Sequence, residues 1–254
     1  MQVILAADEP PPFEIVARRR SSSPYVIQCD HASNRIPRAL DELGLPPPEL
    51  ERHIAWDIGA EAVARHLAEA LDAWLILQNY SRLVIDCNRA LEHPDSIVRS
   101  SEDTPIPGNR DVLPIDAERR AKSIFEPYHA RIARELDERA AVPTIMIFLH
   151  SFTPTFRGVS RPWDAGVLFH RDRRFAAPLF EALRSESGLV VGENEPYAAS
   201  ALTDYGLVEH AERRGLLHVE LEIRQDLIER AADQLAWAER LARIVRIAEA
   251  SAAR

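Results

Sequence analysis

Two histidines are the residues most suited to bind a metal. His31 and His150 lie in the stretches CDHASNRIP and LHSFTP, each directly after an apolar run. Neutral imidazole is the nitrogen ligand that zinc prefers, and a catalytic zinc needs a third protein ligand and an open position for water. Asp57 and Asn34 are the candidates, and we favour Asp57 because an amide oxygen is a poorer zinc ligand. Either histidine alone is better explained as a hydrogen-bonded loop residue, but the pair favours a metal site.

A carboxylate inside an apolar strand is the second feature. Glu222 lies in the run HVELEIRQD, where an unpaired carboxylate is costly to bury. Burial raises a carboxyl pKa toward the working pH, so this residue could act as the general base that deprotonates zinc-bound water. Glu220 points the same way at a spacing of two. Strand parity does not separate the two, and either could instead form a salt bridge with an arginine.

Two arginines and an asparagine could recognise a substrate carboxylate. Arg82, Asn88 and Arg89 lie in the stretch SRLVIDCNRA. Guanidinium groups pair with planar oxyanions through two hydrogen bonds, and Asp86 would orient one of the arginines. A purely structural Arg–Asp pair explains Arg82 equally well. Ser151 lacks the glycines of a nucleophile elbow, so serine hydrolysis is disfavoured.

The elements that must carry these residues alternate between strands and helices. Apolar runs predict strands at residues 25–29, 74–77, 83–87, 144–149, 166–169, 189–192 and 216–223. Helical spacing predicts helices near residues 58–71, with Asp57 as a possible N-cap, 116–139, 174–186 and 204–214, and one of about 25 residues from Asp226. Such strands are typical of a largely parallel sheet that is covered on both faces. We therefore predict an α/β fold, a three-layer sandwich around a mostly parallel mixed sheet.

The chain length of 254 residues fits one α/β domain, although two smaller domains would also fit. Residues 1–22 are rich in proline and then in arginine and serine, and we interpret them as a tail that lies over a single domain of residues 23–254. Residues 91–114 contain several prolines and no periodicity, and the segment is long for a connection. It is therefore a candidate active-site loop.

Composition narrows the class of partner. Forty acidic residues against 31 basic ones give a formal charge of −9, the wrong sign for electrostatic binding of nucleic acid. The apolar runs are far shorter than the ~20 residues of a membrane helix, and the N-terminus lacks the pattern of a signal peptide. We expect a cytoplasmic protein with a small-molecule substrate and no nucleic-acid or membrane partner. Cys29 and Cys87 fit buried thiols in a reducing compartment.

Four ordered motifs carry a resemblance to a known family. CDHASNRIP, SRLVIDCNR, LHSFTP and VELEIRQDLI together resemble the N-formylglutamate amidohydrolase family over roughly residues 24–235. The resemblance implies a zinc-peptidase-like α/β fold and metal-dependent hydrolysis of the formamide of N-formyl-L-glutamate. The first motif differs from the Pro-His-Ser-Gly form of the deformylases of histidine breakdown. A related N-acyl amino acid is therefore also a candidate substrate, and an acidic one is expected.

The motifs are also distantly similar to those of zinc carboxypeptidases. That similarity implies zinc binding by His31 and His150, catalysis by Glu222 in preference to Glu220, and a carboxylate grip by Asn88 and Arg89. Asn34 stands where the carboxypeptidases place an acidic ligand, so the third ligand stays open between Asn34 and Asp57. Arg82, Asn34 and Ser151 complete the candidate substrate-binding residues.

Two other functions compete with the deformylase. One is a carboxypeptidase-like hydrolase of another acyl amino acid or small peptide. The other is a non-catalytic protein that binds a metal or an acyl amino acid, which is suggested by Asn34 at the position where an acid is expected. Zinc is the favoured metal, although the ligand types also allow other divalent metals.

Overall fold

The computed structural model describes residues 4–16 and 23–252. In this part of the chain the strands are β1 (Phe13–Val16), β2 (Tyr25–Cys29), β3 (Trp74–Gln78), β4 (Ser100–Ser101), β5 (Thr104–Pro105), β6 (Ile145–Phe152), β7 (Thr155–Phe156), β8 (Val159–Ser160), β9 (Ala165–Leu168), β10 (Val191–Glu193) and β11 (Leu217–Arg224). The α-helices are α1 (Pro47–Leu50), α2 (Ala60–Leu71), α3 (Pro114–Arg120), α4 (Glu126–Glu138), α5 (Ala176–Arg184) and α6 (Ala231–Ala252). None of the helices in the described residues is long and apolar enough to cross a membrane.

A seven-stranded sheet forms the centre of the fold, in the order β1-β3-β2-β6-β11-β9-β10. Strands β3, β2, β6 and β11 are parallel to one another. Strand β1 pairs antiparallel with β3, and β9 pairs antiparallel with β11 and parallel with β10. The prediction of a mostly parallel mixed sheet is confirmed.

Helices and loops cover both faces of the sheet. Helices α2, α5 and α6 pack on one face, where Leu67, Leu179 and Leu241 are fully buried. Helix α4 covers the other face through Tyr128 and Ile132. The apolar residues of α2 recur every three or four positions, so that they form one stripe that is buried against the sheet. The three-layer sandwich is confirmed.

The predicted strand at residues 83–87 is wrong. Its apolar residues are buried, but the segment is a series of turns outside the sheet. The Ser81 hydroxyl accepts a hydrogen bond from the Leu83 amide, and the Val84 amide donates to the Ser81 carbonyl. These apolar residues are buried in the layer that contains α4. A buried turn and a buried strand both have apolar sequences, so the run alone does not distinguish them.

Most other predicted elements are present with shifted ends. The predicted helix at 116–139 is observed as α3 and α4 joined by a π-helical turn at Ala121–Phe125. Residues 204–214 form a π-helical turn at Leu207–Ala211 and a 3-10 turn at Glu212–Arg214 in place of a regular helix. Strand β6 extends to Phe152, so that His150 lies within a strand and not after it.

The expected tail at residues 1–22 contributes a strand to the sheet. Phe13–Val16 pairs with β3, with Phe13 opposite Gln78 and Val16 opposite Leu75. Residues 1–3 and 17–22 lie outside the described residues. A strand of four residues at the sheet edge carries little periodicity, and its partner lies some 60 residues further along the chain, so local sequence does not reveal it.

Candidate metal centre

The candidate metal ligands come from three elements that meet at one end of the parallel strands. His31 follows β2, His150 lies in the neighbouring β6, and Asp57 lies in the loop before α2. The Asp57 amide donates to the His31 carbonyl at 2.9 Å, which ties the two loops together. Ligand sites in open α/β sheets lie beyond the carboxyl ends of strands, as here.

The three side chains converge in a buried position. Their ligand atoms all lie within 4.8 Å of one another. His150 Nδ1 is 2.9 Å from Asp57 Oδ2, and His31 Nδ1 is 3.4 Å from the same oxygen. Two imidazole nitrogens and a carboxylate oxygen are the ligand set of many catalytic zinc sites. The residues fit a divalent metal, with zinc among those they suit.

Contrary to what the sequence suggested, Asp57 is not the N-cap of helix α2. Gly59 is the residue that precedes α2, and no side chain caps that end of the helix. The Asp57 carboxylate faces His150 and accepts a hydrogen bond from the Ser151 amide at 3.3 Å. An acidic residue before a helix is typical of a cap, but here the loop turns the side chain toward the histidines.

A second carboxylate orients His31. Asp86 Oδ1 accepts a hydrogen bond from His31 Nε2 at 2.8 Å, and the Asp86 carboxylate also binds Arg82 Nη2 at 2.7 Å. His31 Nδ1 has no hydrogen-bond partner among the described residues. With the proton held on Nε2, the Nδ1 lone pair is available to a metal, as in the carboxylate–histidine–metal arrangements of known sites.

His150 has a comparable neighbour at its far nitrogen. Asp30 Oδ2 lies 3.8 Å from His150 Nε2, and both atoms are buried without a hydrogen bond among the described residues. The other oxygen of Asp30 accepts hydrogen bonds from Tyr128 and Gln28 at 2.7 and 2.8 Å. These bonds hold the carboxylate in place behind the imidazole.

The electrostatics of the site favour a positive charge between these groups. Burial opposes the charged form of both histidines, yet the surrounding carboxylates raise the pKa of His31 and raise that of His150 well above its usual value. Burial also opposes ionisation of Asp57, but His31 and His150 hold its pKa well below the usual range. A site with this balance binds protons or a metal cation, because either offsets the buried negative charge.

Glu222 lies beside the three candidate ligands. It pairs with His150 in the register between β11 and β6, so both side chains project from the same face of the sheet. Burial raises the pKa of Glu222 to about 8, and its Oε2 has no hydrogen-bond partner among the described residues. Glu220 lies two residues earlier, where burial and the neighbouring Asp204 raise its pKa well above the usual value. Both glutamates line the same cavity.

The cavity at this point has a volume of about 460 Å³. The candidate metal ligands line it together with four of the candidate substrate-binding residues: Arg82, Asn88, Arg89 and Ser151. Arg89 Nη1 donates to the carbonyls of Asn88 and Thr203, which fixes the guanidinium at the wall. The Asn88 side-chain oxygen is buried without a hydrogen-bond partner among the described residues.

The predicted active-site loop also reaches the cavity. Residues 91–114 fold into short turns and the β4–β5 hairpin, and five of the residues that line the cavity lie in this segment: Asp95, Val98, Ser100, Ser101 and Glu102. Arg52 fastens the hairpin by hydrogen bonds to Glu102 and Thr104 at 2.7 Å each.

Asn34 is not brought to the site. Its side-chain amide donates to the Leu50 carbonyl at 3.0 Å, and the residue does not line the cavity. Asp57, and not Asn34, is the residue that lies with His31 and His150 in one cluster of candidate ligands.

Three residues in or behind the wall of the cavity are not among those predicted from the sequence: Tyr197, Arg161 and Asp30. Tyr197, which lines it, and its hydrogen-bond partner Arg161 lie on loops outside the four motifs. Asp30 lies inside the first motif, and its place directly before His31 is the sequence feature that marks it as a neighbour of the site. Asp86 was expected to orient an arginine, and it binds both Arg82 and His31.

Comparison with known proteins bears on the whole chain. The sequence profile of the N-formylglutamate amidohydrolase family matches residues 23–229. A gene product of Agrobacterium tumefaciens of solved structure is 34% identical, with a TM-score of 0.94 over 99% of this chain and 100% of that one. The N-formylglutamate amidohydrolase of Ralstonia eutropha is 19% identical and has a TM-score of 0.76 over 95% of this chain and 98% of that one. This second likeness shows a shared fold. No curated protein matches the sequence.

Proposed function

The chain belongs to the N-formylglutamate amidohydrolase family, and on this premise we propose that it is a metal-dependent amidohydrolase that cleaves the formamide of N-formyl-L-glutamate. A related N-acyl amino acid is the alternative substrate; in either case the products are a carboxylate and the free amino acid. The observation that carries the proposal is the convergence of His31, Asp57 and His150 beside Glu222 in one cavity.

The proposed metal is zinc, held by His31, Asp57 and His150. Bound zinc supplies Lewis acidity, which lowers the pKa of water and polarises a carbonyl group. The contribution of the protein is to present the ligand atoms in the correct form. Asp86 keeps the proton of His31 on Nε2, and the Ser151 amide helps to hold the Asp57 carboxylate.

Glu222 is the proposed general base. With a pKa that burial raises to about 8, its carboxyl group can both accept and release a proton near neutral pH. It takes a proton from the attacking water and returns it to the nitrogen of the leaving amino acid. Its position opposite His150 in the sheet keeps it beside the candidate metal ligands.

Arg89 and Asn88 are proposed to bind a carboxylate of the substrate. The Arg89 guanidinium is fixed by two backbone carbonyls, and the Asn88 amide lines the same wall of the cavity. Arg82 is held by Asp86 and lies 3.8 Å from Asp57 Oδ1, so it stands between the metal ligands and that wall. A charge-assisted grip of this kind would hold the amide at attack distance.

A substrate panel tests the reaction and its specificity. The zinc-loaded protein is incubated with N-formyl, N-acetyl and N-succinyl derivatives of glutamate, glutamine and leucine, and with dipeptides that have a free C-terminus. Release of the amino acid is measured. We expect the N-formyl and acidic members to give the highest kcat/KM. Preference for dipeptides with a free C-terminus would favour a carboxypeptidase-like hydrolase, and binding without turnover would favour a non-catalytic protein.

A further inference from the structure

A tyrosine outside the family motifs faces the same cavity. Tyr197 lies on the loop after β10 and lines the cavity with Glu222 and Arg82. Its hydroxyl oxygen accepts a hydrogen bond from Arg161 Nη1 at 2.8 Å. Because the oxygen is already an acceptor for Arg161, its own proton remains available to donate to another group.

Arg161 is built into the wall behind this hydroxyl. It is 9% exposed, and its guanidinium lies 4.7 Å from the ring centres of both Phe156 and Tyr197 and 5.8 Å from that of Phe152. A guanidinium stacked on aromatic rings is held at a fixed position. Its positive charge polarises the O–H bond of Tyr197, which makes the hydroxyl a stronger donor to an anionic acceptor.

The loop that carries Tyr197 is seated closely on the sheet. A Cβ atom at Gly166 would lie 2.1 Å from the Glu195 carbonyl oxygen, and one at Gly192 would lie 2.5 Å from the Glu195 Cβ. Glycine at both positions lets the loop backbone approach β9 and β10. The backbone two residues before Tyr197 is therefore packed against the sheet, while the tyrosine is 43% exposed and is held through its contacts with Arg161.

The surroundings of the hydroxyl identify the kind of acceptor. Burial raises the pKa of Tyr197, and the nearby Glu222 carboxylate raises it further, while the Arg161 and Arg82 guanidinium groups act in the opposite direction. Tyr197, Glu222 and Arg82 line one cavity, and both charged groups act on the hydroxyl. An amide attacked by water beside Glu222 would gain negative charge on its carbonyl oxygen in this space.

We propose that Tyr197 is a catalytic residue whose hydroxyl donates a hydrogen bond to the carbonyl oxygen of the scissile amide, and that Arg161 is a positioning residue that holds this hydroxyl. The proposal rests on the proposed amidohydrolase function. In this arrangement Tyr197 contacts the amide that is cleaved, and Arg89 and Asn88 bind the carboxylate of the substrate.

The test compares Tyr197→Phe with the unchanged protein on the best substrate of the panel. Because the hydrogen bond strengthens as charge develops, we expect kcat to fall about 100-fold, as when one donor to an oxyanion is removed. KM, the Kd for the amino-acid product and the zinc content should stay within about twofold. Tyr205→Phe is the matched control, since Tyr205 packs against Phe125 and His129 and does not line the cavity.

A double-mutant cycle tests the part of Arg161. Arg161→Met should lower kcat about as much as Tyr197→Phe, and the double variant should be no worse than either single variant, because the two residues act as one unit. Arg161→Lys, which keeps the charge, should recover part of the rate. The thermal midpoint of each variant shows whether it is folded. If Arg161→Met is unfolded, Arg161→Lys replaces it in the cycle.

Four results would overturn the inference. A kcat that Tyr197→Phe leaves unchanged would exclude Tyr197 from the reaction. A higher KM at constant kcat would assign its hydroxyl to ground-state binding of the substrate. Additive effects in the double variant would separate Arg161 from Tyr197. Absence of turnover by the unchanged, zinc-loaded protein on every member of the panel would refute the proposed function, and this inference with it.

Discussion

At the scale of single residues, the account depends on which of two buried glutamates moves the proton. Glu222 and Glu220 project from the same face of β11, and both have a raised pKa. Their neighbours differ. Glu222 lies opposite His150 in the sheet, and its pKa is influenced by burial and by all three candidate ligands, His150, Asp57 and His31. Glu220 lies opposite Phe148, and its pKa is influenced by burial, by Asp204 and, among the candidate ligands, by His150. The closeness of Glu222 to all three candidate ligands favours it as the proposed general base.

A pair of matched variants tests this assignment. Glu222→Gln removes the base but keeps the shape of the side chain, so we expect kcat to fall by roughly 10²–10⁴ while the metal content is unchanged. Glu220→Gln should lower kcat less than about tenfold. Formate release and bound metal are measured on both proteins. Near-full activity of the Glu222 variant would refute the assignment, and a larger loss in the Glu220 variant would reverse it.

The carboxylate of Asp86 is expected to increase the affinity of the site for zinc through its hydrogen bond to His31. Asp86→Asn removes the charge behind His31 and permits the wrong tautomer of that ring, so we expect the zinc affinity to fall about 10- to 100-fold. The measurement is a competition titration with a coloured chelator. Asp95→Asn is the control, because Asp95 also lines the cavity but has no hydrogen bond to a candidate ligand. Equal affinities for both variants would contradict the part given to Asp86.

The sequence predicts part of this residue-level picture. Ligand chemistry alone favours Asp57 over Asn34, and the structure places Asp57 between the two histidines. The contacts of Asp86 with His31 and of Arg161 with Tyr197 join residues 55 and 36 positions apart. Spacing along the chain carries no record of such contacts, because the fold alone brings the loops together.

At the scale of the elements, the start of α2 fixes the position of Asp57. Gly59 has a φ of 81°, and a Cβ at this position would lie 2.6 Å from the Ile228 carbonyl oxygen. The glycine therefore serves two purposes: it adopts the left-handed conformation that side chains disfavour, and it leaves room for the Ile228 backbone. The loop with Asp57 depends on both.

Two glycine variants separate these purposes. Gly188 also has a φ of 81°, but nothing lies within 4 Å of a Cβ built there. Gly188→Ala should lower the free energy of unfolding by about 1–2 kcal/mol, the strain of the left-handed conformation. Gly59→Ala should lower it further and should weaken zinc binding, since the loop must shift. Denaturant unfolding and zinc titration measure both effects, and equal losses in the two variants would contradict a close approach at Gly59.

His129 of helix α4 and His210 of the π-helical turn at Leu207–Ala211 form a buried pair behind the wall of the cavity. His129 Nδ1 lies 2.8 Å from His210 Nε2, and His129 Nε2 lies 2.9 Å from the Cys87 carbonyl, next to Asn88. Burial lowers the pKa of His129 well below its usual value and lowers that of His210 to about 4. The folded protein therefore holds both rings in the neutral form.

The pair gives a pH dependence of stability with a definite sign. Between about pH 6.5 and pH 4 the unfolded chain binds protons on these rings and the folded protein does not, so stability is full above pH 6.5 and is lost as the pH falls. Because groups with a raised pKa, such as His150 and Glu222, act in the opposite sense, the contribution of the pair is measured as a difference between two proteins. Relative to His210→Gln, the thermal midpoint of the unchanged protein should fall by several degrees between pH 7 and pH 5. Parallel pH curves for the two proteins would show that His210 does not titrate in this way.

Helices and strands could be distinguished from the sequence where the pattern of apolar residues extends over a whole element. The stripe of α2 and the continuous runs of β2 and β6 mark a helix and two buried strands. The run at residues 83–87 misleads because it is buried without a strand partner. The short β1 is found only by its pairing with β3, which joins residues far apart in the chain.

At the scale of the whole molecule, the net charge of the chain is negative, whereas the cavity contains arginines that could bind an acidic substrate. The chain has a formal charge of −9, yet Arg82 and Arg89 line the cavity that is proposed to hold an acidic substrate. A negative surface does not attract such a substrate from a distance, so selection must occur inside the cavity, at short range. Family membership and the three-layer fold agree with this site at the carboxyl ends of the parallel strands.

The most direct test of the central claim is metal content measured together with formate release from N-formyl-L-glutamate, before and after chelation and after zinc is restored. The account predicts about one zinc per chain, turnover that is lost with the metal, and turnover that returns with zinc. Turnover that survives complete removal of metal would contradict the metal centre. A protein that binds no metal and releases no formate, even with zinc added, would contradict the proposed function.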